Sequence, residues 1–172
     1  MKNPMAFFKE EEMECVGSLT LFNEPIVIAD PCLRTEVSKS NQKALEKNEE
    51  FGLYASSIYI RDVLEGTYLL GVQKQDGIIT KCSLVHESEE EVFDNGRVIN
   101  IESGYIGCYP VSNYQQESDQ VPQWFANIFE ALSEEDYISS EGLTIPFKQP
   151  LPGVEVYFDK DENFVGLHLS LF

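Results

Sequence analysis

Short apolar or alternating segments, separated at regular intervals by turn-forming residues, constrain the fold of this chain more than any other feature. About eight such segments occur, and this pattern is typical of antiparallel sheets. Asp76-Gly77 separates the segments 67–74 and 78–86, and Asp-Gly is a strong hairpin signal. Asn95-Gly96 predicts a further turn, which would end an acidic loop over 87–95. We therefore predict a β-dominated α+β fold with two antiparallel sheets, arranged as a sandwich or a rolled sheet.

The last two segments, 154–158 and 164–171, predict a hairpin across an acidic turn. Asp159, Asp161 and Asn163 alternate in this turn, which is similar to the start of a calcium-binding loop. The similarity fails because the glycine at the sixth position of such a loop and its bidentate glutamate at the twelfth are both missing. We therefore expect these side chains to make local hydrogen bonds, and we predict no metal.

Two segments have helical character. Residues 119–134 repeat large apolar side chains at three- and four-residue spacing, which predicts an amphipathic helix packed on one face of a sheet. The polar residues 38–50 predict a short exposed helix, and residues 1–13 a loose or weakly helical arm. The apolar stripe of the long helix, residues 119–134, consists of Trp124, Phe125, Ile128, Phe129 and Leu132.

A length of 172 residues suits a single domain over residues 1–172.

The charge of the chain limits its partners. Thirty acidic residues against twelve basic ones give a formal net charge of −18. Such a chain repels phosphate backbones, so we predict no nucleic-acid binding, and it attracts basic protein surfaces. Residues 87–141 hold thirteen acidic residues and a single basic one, Arg97, which amounts to a net charge of −12. We predict that this part of the chain meets a basic protein partner.

The cellular compartment follows from the apolar and cysteine patterns. The first residues lack the apolar core of a signal peptide, and no run of about 18 apolar residues occurs, so we expect a cytoplasmic protein without membrane contact. The four cysteines form no C-x-x-C pair, and reduced thiols are the cytoplasmic default. Only His86 and His168 could join cysteines at a zinc ion, so we predict no cofactor.

One strand end concentrates reactive side chains. The apolar run 26–29 predicts a buried strand covered on both faces. Pro31 cannot donate to a sheet ladder, so we expect the strand to stop there. Asp30 and Cys32 would then lie at the rim of a rigid strand, where polar groups can face a cleft.

Three short motifs resemble those of a family of uncharacterised bacterial and phage proteins. The motifs are Ala29-Asp30-Pro31-Cys32, His86-Glu87 and Glu102-Ser103-Gly104-Tyr105-Ile106-Gly107. The chain departs from the family pattern at Leu33, where the family has an aromatic residue, at Glu102, where it has Asp, and at residues 108–110. The family has no activity to carry over, so the resemblance implies a β-rich fold and one shared region. We take as its binding residues Asp30, Glu102, Ser103, Gly104 and Tyr105.

Two functions of different classes fit these residues. The first is a non-enzymatic interaction module, like an immunity protein or a phage accessory protein, that binds a basic partner. The second is a small hydrolase or transferase with Cys32 as nucleophile, His86 as base and Asp30 or Glu102 as orienting acid. The first is favoured, because no known catalytic flank surrounds Cys32 and a buried cysteine is most often structural.

Overall fold

The computed structural model describes residues 4–31, 57–87, 93–98, 105–114, 121–147 and 153–170. The chain divides into two compact units, which are treated separately below. Unit 1 consists of Met1–Glu24, Asp62–Val98 and Leu151–Phe172, and unit 2 of Pro25–Arg61 and Ile99–Pro150. Each unit holds one antiparallel sheet, so the predicted β-dominated fold with two antiparallel sheets is confirmed. The expectation of a single domain stays a prediction.

The described elements follow one another along the chain as three helices and eleven strands. They are α1 (Pro4–Glu10), β1 (Glu14–Leu21), β2 (Ile26–Ala29), β3 (Ser57–Ile60), β4 (Gly66–Gln75), β5 (Ile78–His86), β6 (Phe93–Val98), β7 (Tyr105–Pro110), α2 (Val111–Tyr114), α3 (Val121–Ser133), β8 (Ile138–Ser139), β9 (Gly142–Pro146), β10 (Gly153–Phe158) and β11 (Phe164–Ser170). The helix predicted over residues 38–50 lies outside the described residues.

The sheet of unit 1 has six strands in the order β1-β4-β5-β11-β10-β6. The predicted hairpin between β4 and β5 is present, and Asp76 and Gly77 have positive φ values of 55° and 78°. Two positive φ values at the central positions are the geometry that suits a two-residue hairpin. One row of opposed side chains crosses four strands and forms the centre of an apolar face. Its members, all buried, are Leu70, Leu84, Leu167 and Val156.

Helix α1 lies on the opposite face of this sheet. Phe8 is 1% exposed, and a Cβ added at Gly71 of β4 would lie 2.7 Å from the Phe8 ring. The absence of a side chain at Gly71 therefore makes the space that the ring fills. Phe8 also belongs to a small apolar cluster with Met13 and Val85. The segment predicted as a loose or weakly helical arm thus contains a helix whose buried aromatic ring anchors it.

The sheet of unit 2 has five strands in the order β3-β2-β7-β9-β8. Every residue of β2 is buried, and the strand ends at Ala29 opposite Gly107, as the run before Pro31 predicts. Helix α3 packs on one face of this sheet. Trp124 and Ile128 are buried in a cluster with Val27 and Tyr109, which confirms the predicted amphipathic helix on a sheet face.

Two parts of the sequence prediction are corrected. Asn95-Gly96 is not a turn, because it lies inside β6, where Asn95 pairs with Val156 of β10. The non-local pairing with β10 overrides the local turn preference of Asn-Gly. The second correction is that strands β8 and β9 were not predicted.

Candidate functional site

Two of the residues predicted to bind a partner are described, and both belong to unit 2. Asp30 directly follows β2 and is fully buried, whereas Tyr105 begins β7 and is half-buried. Since Ala29 lies opposite Gly107, Asp30 and Tyr105 are at the same end of the β2/β7 pair. Cys32 and the Glu102–Gly104 segment, with Ser103, lie outside the described residues.

Tyr105 contributes to a group of three aromatic side chains at the surface of unit 2. Its ring meets that of Phe129 edge to face at 5.4 Å between centroids, and Phe129 stacks on Phe125 at 6.1 Å. Phe129 is 37% exposed, and the other two rings are half-buried. The sheet therefore does not cover the whole apolar stripe of α3, and these rings lie at the edge of the stripe. We call Tyr105, Phe125 and Phe129 the aromatic surface.

Four exposed carboxylates, at positions 130, 134, 135 and 136, lie close to the aromatic surface in sequence. The last turn of α3 holds no basic residue, and the helix dipole adds partial negative charge at the same end. Negative charge at the carboxyl end of a helix is unfavourable. Asp136 has a local structural role, because its Oδ1 accepts a hydrogen bond from the amide of Ile138 at 3.0 Å. We call this group the acidic end, and it consists of Glu130, Glu134, Glu135 and Asp136.

The backbone holds the acidic end in a defined shape. The amide of Asp136 donates to the carbonyl of Ala131 at 2.9 Å, and the amide of Glu135 donates to that of Leu132 at 3.1 Å. These two bonds are the pattern of a Schellman motif, in which the residue at the Glu135 position takes a left-handed conformation. Glu135 has a φ of 58°, where glycine is the favoured residue. The left-handed conformation of Glu135 therefore lowers the stability of the fold by on the order of 1 kcal/mol.

A polar chain fixes the orientation of α3. The Gln123 side-chain amide donates to Asn127 Oδ1 at 2.8 Å, and Asn127 Nδ2 donates to Glu141 Oε1 at 2.9 Å. Glu141 lies in the turn between β8 and β9 and is 8% exposed. Because this buried carboxylate ties the helix to the hairpin, α3 cannot turn its exposed rings inward without breaking the chain of hydrogen bonds.

His86, the predicted base of the alternative function, lies in unit 1 and is buried. Its Nε2 is 3.0 Å from the carbonyl oxygen of Glu65, which can only accept, so Nε2 carries the proton and donates. The ring meets Tyr68 edge to face at 5.0 Å, and a Cβ at Gly66 would collide with its Nε2. These contacts give His86 a structural role in the sheet. The Nε2–H is therefore committed to a backbone carbonyl.

The structure also brings together a serine and a histidine that the sequence did not single out as a pair. Ser83 on β5 and His168 on β11 are directly opposed, with Ser83 Oγ 2.5 Å from His168 Nδ1. Phe7 of α1 meets the His168 ring edge to face. Ser83 is fully buried, so its hydroxyl has no access to a substrate. No sequence signal could have joined them, because they are 85 residues apart.

The acidic turn of the C-terminal hairpin makes the local hydrogen bonds expected of it. Asp159 Oδ1 accepts from the amides of Asp161 and Asn163, both at 2.9 Å. Within the described ranges, no group of three or more metal-binding side chains is found. The same ranges contain no helix with the length and apolar character needed to cross a membrane.

Thiol labelling gives a first test of the alternative function. Burial raises the pKa of the Cys108 thiol from 9.0 to about 12. At neutral pH we expect iodoacetamide to label Cys108 and the buried Cys82 only after unfolding, with half-buried Cys15 the first of these three to react. Cys15→Ser is the control. Rapid labelling of Cys32 that is lost in His86→Ala would instead favour the hydrolase or transferase.

The same pKa has a consequence for stability. Below pH 9.0 the Cys108 thiol is protonated in both the folded and the unfolded chain. Between pH 9.0 and about 12 only the unfolded chain loses this proton, so the free energy of unfolding falls as the pH rises through that window.

No known protein family, curated protein sequence or solved structure matches the chain. The resemblance to the uncharacterised bacterial and phage family therefore stays a prediction.

Proposed function

We propose that this protein is a non-enzymatic interaction module that binds an arginine-containing surface of a basic partner protein through unit 2. The observation that carries the proposal is that α3 bears exposed aromatic rings, is followed by exposed carboxylates, and has no basic side chain in its last turn. A cytoplasmic location, a protein rather than nucleic-acid partner, and a role like that of immunity or phage accessory proteins are part of this proposal.

Arginine suits this surface better than any other side chain. Its planar guanidinium stacks on aromatic rings and pairs with carboxylates through two parallel hydrogen bonds. Phe129 and Glu130 are both exposed on α3, so the helix offers both an aromatic ring and a carboxylate to arginine side chains. The ammonium group of lysine forms neither the stack nor the double hydrogen bond, so we expect it to bind more weakly.

Glu135 takes a left-handed conformation at the end of α3, where glycine would relieve the strain. Other acidic residues of the described chain also have positive φ values, so this strain does not by itself indicate a function. The first helix offers a matched case, because Glu12 has the same φ of 58° and ends α1 with the same pair of hydrogen bonds.

The test uses the full chain and a short peptide of alternating arginine and proline, with amide chemical shifts as the readout. Proline lacks the backbone N–H, so this peptide cannot add to a sheet as a strand. We expect shifts centred on α3 and the start of β7, and weaker binding of the matched lysine–proline peptide. Phe129→Ala should weaken binding of the arginine peptide about 10-fold, the scale of an interface hot spot.

Glu135→Gly and Glu12→Gly form a matched pair of charge variants. Each removes one carboxylate from the same backbone motif, so both lower the net charge equally and neither should lower stability. We expect Glu135→Gly to weaken binding about 3-fold, as for one exposed ion pair, and Glu12→Gly to leave it unchanged. Equal losses in both variants would mean that only the net charge attracts the peptide, which would overturn the proposal.

A further inference from the structure

Strand β1 forms one edge of the six-stranded sheet of unit 1. It pairs with β4 alone, and among the described residues no backbone hydrogen bond outside that ladder involves it. Within the strand, Cys15 Sγ lies 3.9 Å from the carbonyl oxygen of Gly17, which is a weak local contact. The side chains of Val16, Ser18 and Thr20 are exposed, so one face of the strand is open to solvent. An edge strand of this kind presents unpaired N–H and C=O groups to any extended segment.

The edge has only part of the protection that natural edge strands carry against such pairing. Natural edge strands carry charges or proline, but residues 15–22 contain neither. One device is present, a bulge at Val16 between Cys15 and Gly17, and it leaves the pairing regular from Gly17 to Leu21. Val16 and Phe22 are 42% and 59% exposed, so apolar side chains mark both ends of the open stretch.

The charges around the edge indicate what could pair with it. Glu12 and Glu14 are exposed at the N-terminal end of β1, and Lys9 is the exposed basic residue on the preceding helix. Glu11 is paired with Lys81 at 3.5 Å. Glu12 and Glu14 place negative charge at one end of the strand, and this charge favours basic groups opposite. A second copy of this chain would bring a net charge of −18 against −18, which opposes self-pairing.

We propose that β1 is a strand-addition site for an extended segment of a partner protein that carries Lys or Arg at its C-terminal end. Every strand pair of this sheet is antiparallel, and antiparallel pairing is slightly more stable than parallel pairing. An antiparallel segment along residues 17–21 places its C-terminal end beside Glu14. The main chain supplies the hydrogen bonds, and the carboxylates select the basic end. The inference rests on the proposed function only in taking the partner to be basic.

The experiment uses the full chain and a peptide of alternating threonine and valine that ends in two lysines. Amide hydrogen exchange and chemical shifts should show protection of residues 17–21 and no change in α3. The same peptide with its lysines at the N-terminus should bind about 5-fold more weakly, as expected for misplaced exposed charges. A version N-methylated at alternate amides should not bind, because it cannot complete the ladder.

Two variants with the same change of net charge locate the site. Thr20→Lys places a charge on the open edge, the device that natural edge strands use, and should weaken binding of the strand peptide at least about 10-fold. Asp161→Asn in the turn between β10 and β11 should leave it unchanged. Thermal unfolding of both variants confirms that each is folded.

The outcomes of these experiments test strand addition at β1 separately from the function proposed for unit 2. Binding of the N-methylated peptide, or protection elsewhere than in β1, would overturn strand addition. Concentration-dependent dimers protected at β1 would assign the edge to a second copy and overturn the basic segment. A failure of the arginine–proline peptide to shift α3 would overturn the function proposed for unit 2 and leave the result at β1 standing.

Discussion

Replacing Trp124 by alanine should lower the free energy of unfolding by about 3–5 kcal/mol, as for a large buried aromatic side chain. The side chain is fully buried at the centre of the contact between α3 and the sheet of unit 2. Its ring meets those of Tyr109 and Phe125 edge to face, at 5.1 Å and 5.2 Å between centroids. Alanine would leave a cavity among aromatic rings that are too stiff to collapse into it.

Denaturant unfolding followed by far-UV circular dichroism measures this effect, because Trp124 is the only tryptophan and its fluorescence is lost with it. Phe22→Ala is the control. It removes an aromatic ring that is 59% exposed, and should shift stability by no more than about 0.5 kcal/mol. If the midpoint of Trp124→Ala barely moves and the slope is unchanged, the helix does not contribute to the core in this way.

Gly107→Ala should cost about 3 kcal/mol, the upper range for adding a methyl group to a filled core. Gly107 and Tyr109 lie on the same face of β7, and the Tyr109 ring crosses over the glycine. Its hydroxyl lies 2.6 Å from Thr144 Oγ1, and Thr144 pairs with Gly107 on the neighbouring strand. A Cβ at Gly107 would collide with the Tyr109 hydroxyl and with the backbone oxygen of Leu143.

A double-mutant cycle with Tyr109→Leu identifies the cause of this loss. Leucine removes the ring above Gly107 and keeps an apolar side chain, so Gly107→Ala should cost less in that background than in the wild type. The collision with the Leu143 oxygen remains, and part of the cost should remain with it. Equal costs in both backgrounds would show that the tyrosine ring is not the obstacle.

Several features of the fold could be predicted from the sequence because they are local. The apolar residues around Trp124 recur with the period of an α-helix, and only a helix places all of them on one side. Asp76-Gly77 accepts the two positive φ values of a tight hairpin more readily than other residue pairs. The apolar run before Pro31 has to be a strand that stops, because proline breaks the ladder. Each signal lies within a few residues of the structure it specifies.

The candidate sites depended on contacts that are distant in the sequence. The stripe of α3 indicated an amphipathic helix, but only the packing showed that Trp124 is buried and Phe129 is exposed beside Tyr105. Likewise the position of β1 at a sheet edge depends on which strands pair, and local patterns do not encode partners. Asp30 was singled out correctly as the residue after a buried strand, although its role as a binding residue stays a prediction.

The sequence by itself determined the class of the fold, the span of its main helix, two of its hairpins and the net charge of −18. Only the tertiary structure decided that Asn95-Gly96 continues a strand, that Ser83 meets His168, and which side chains remain exposed. The reason is physical. Periodicity and turn chemistry act within a few residues, whereas strand pairing and burial are settled by free-energy differences among segments far apart in the chain.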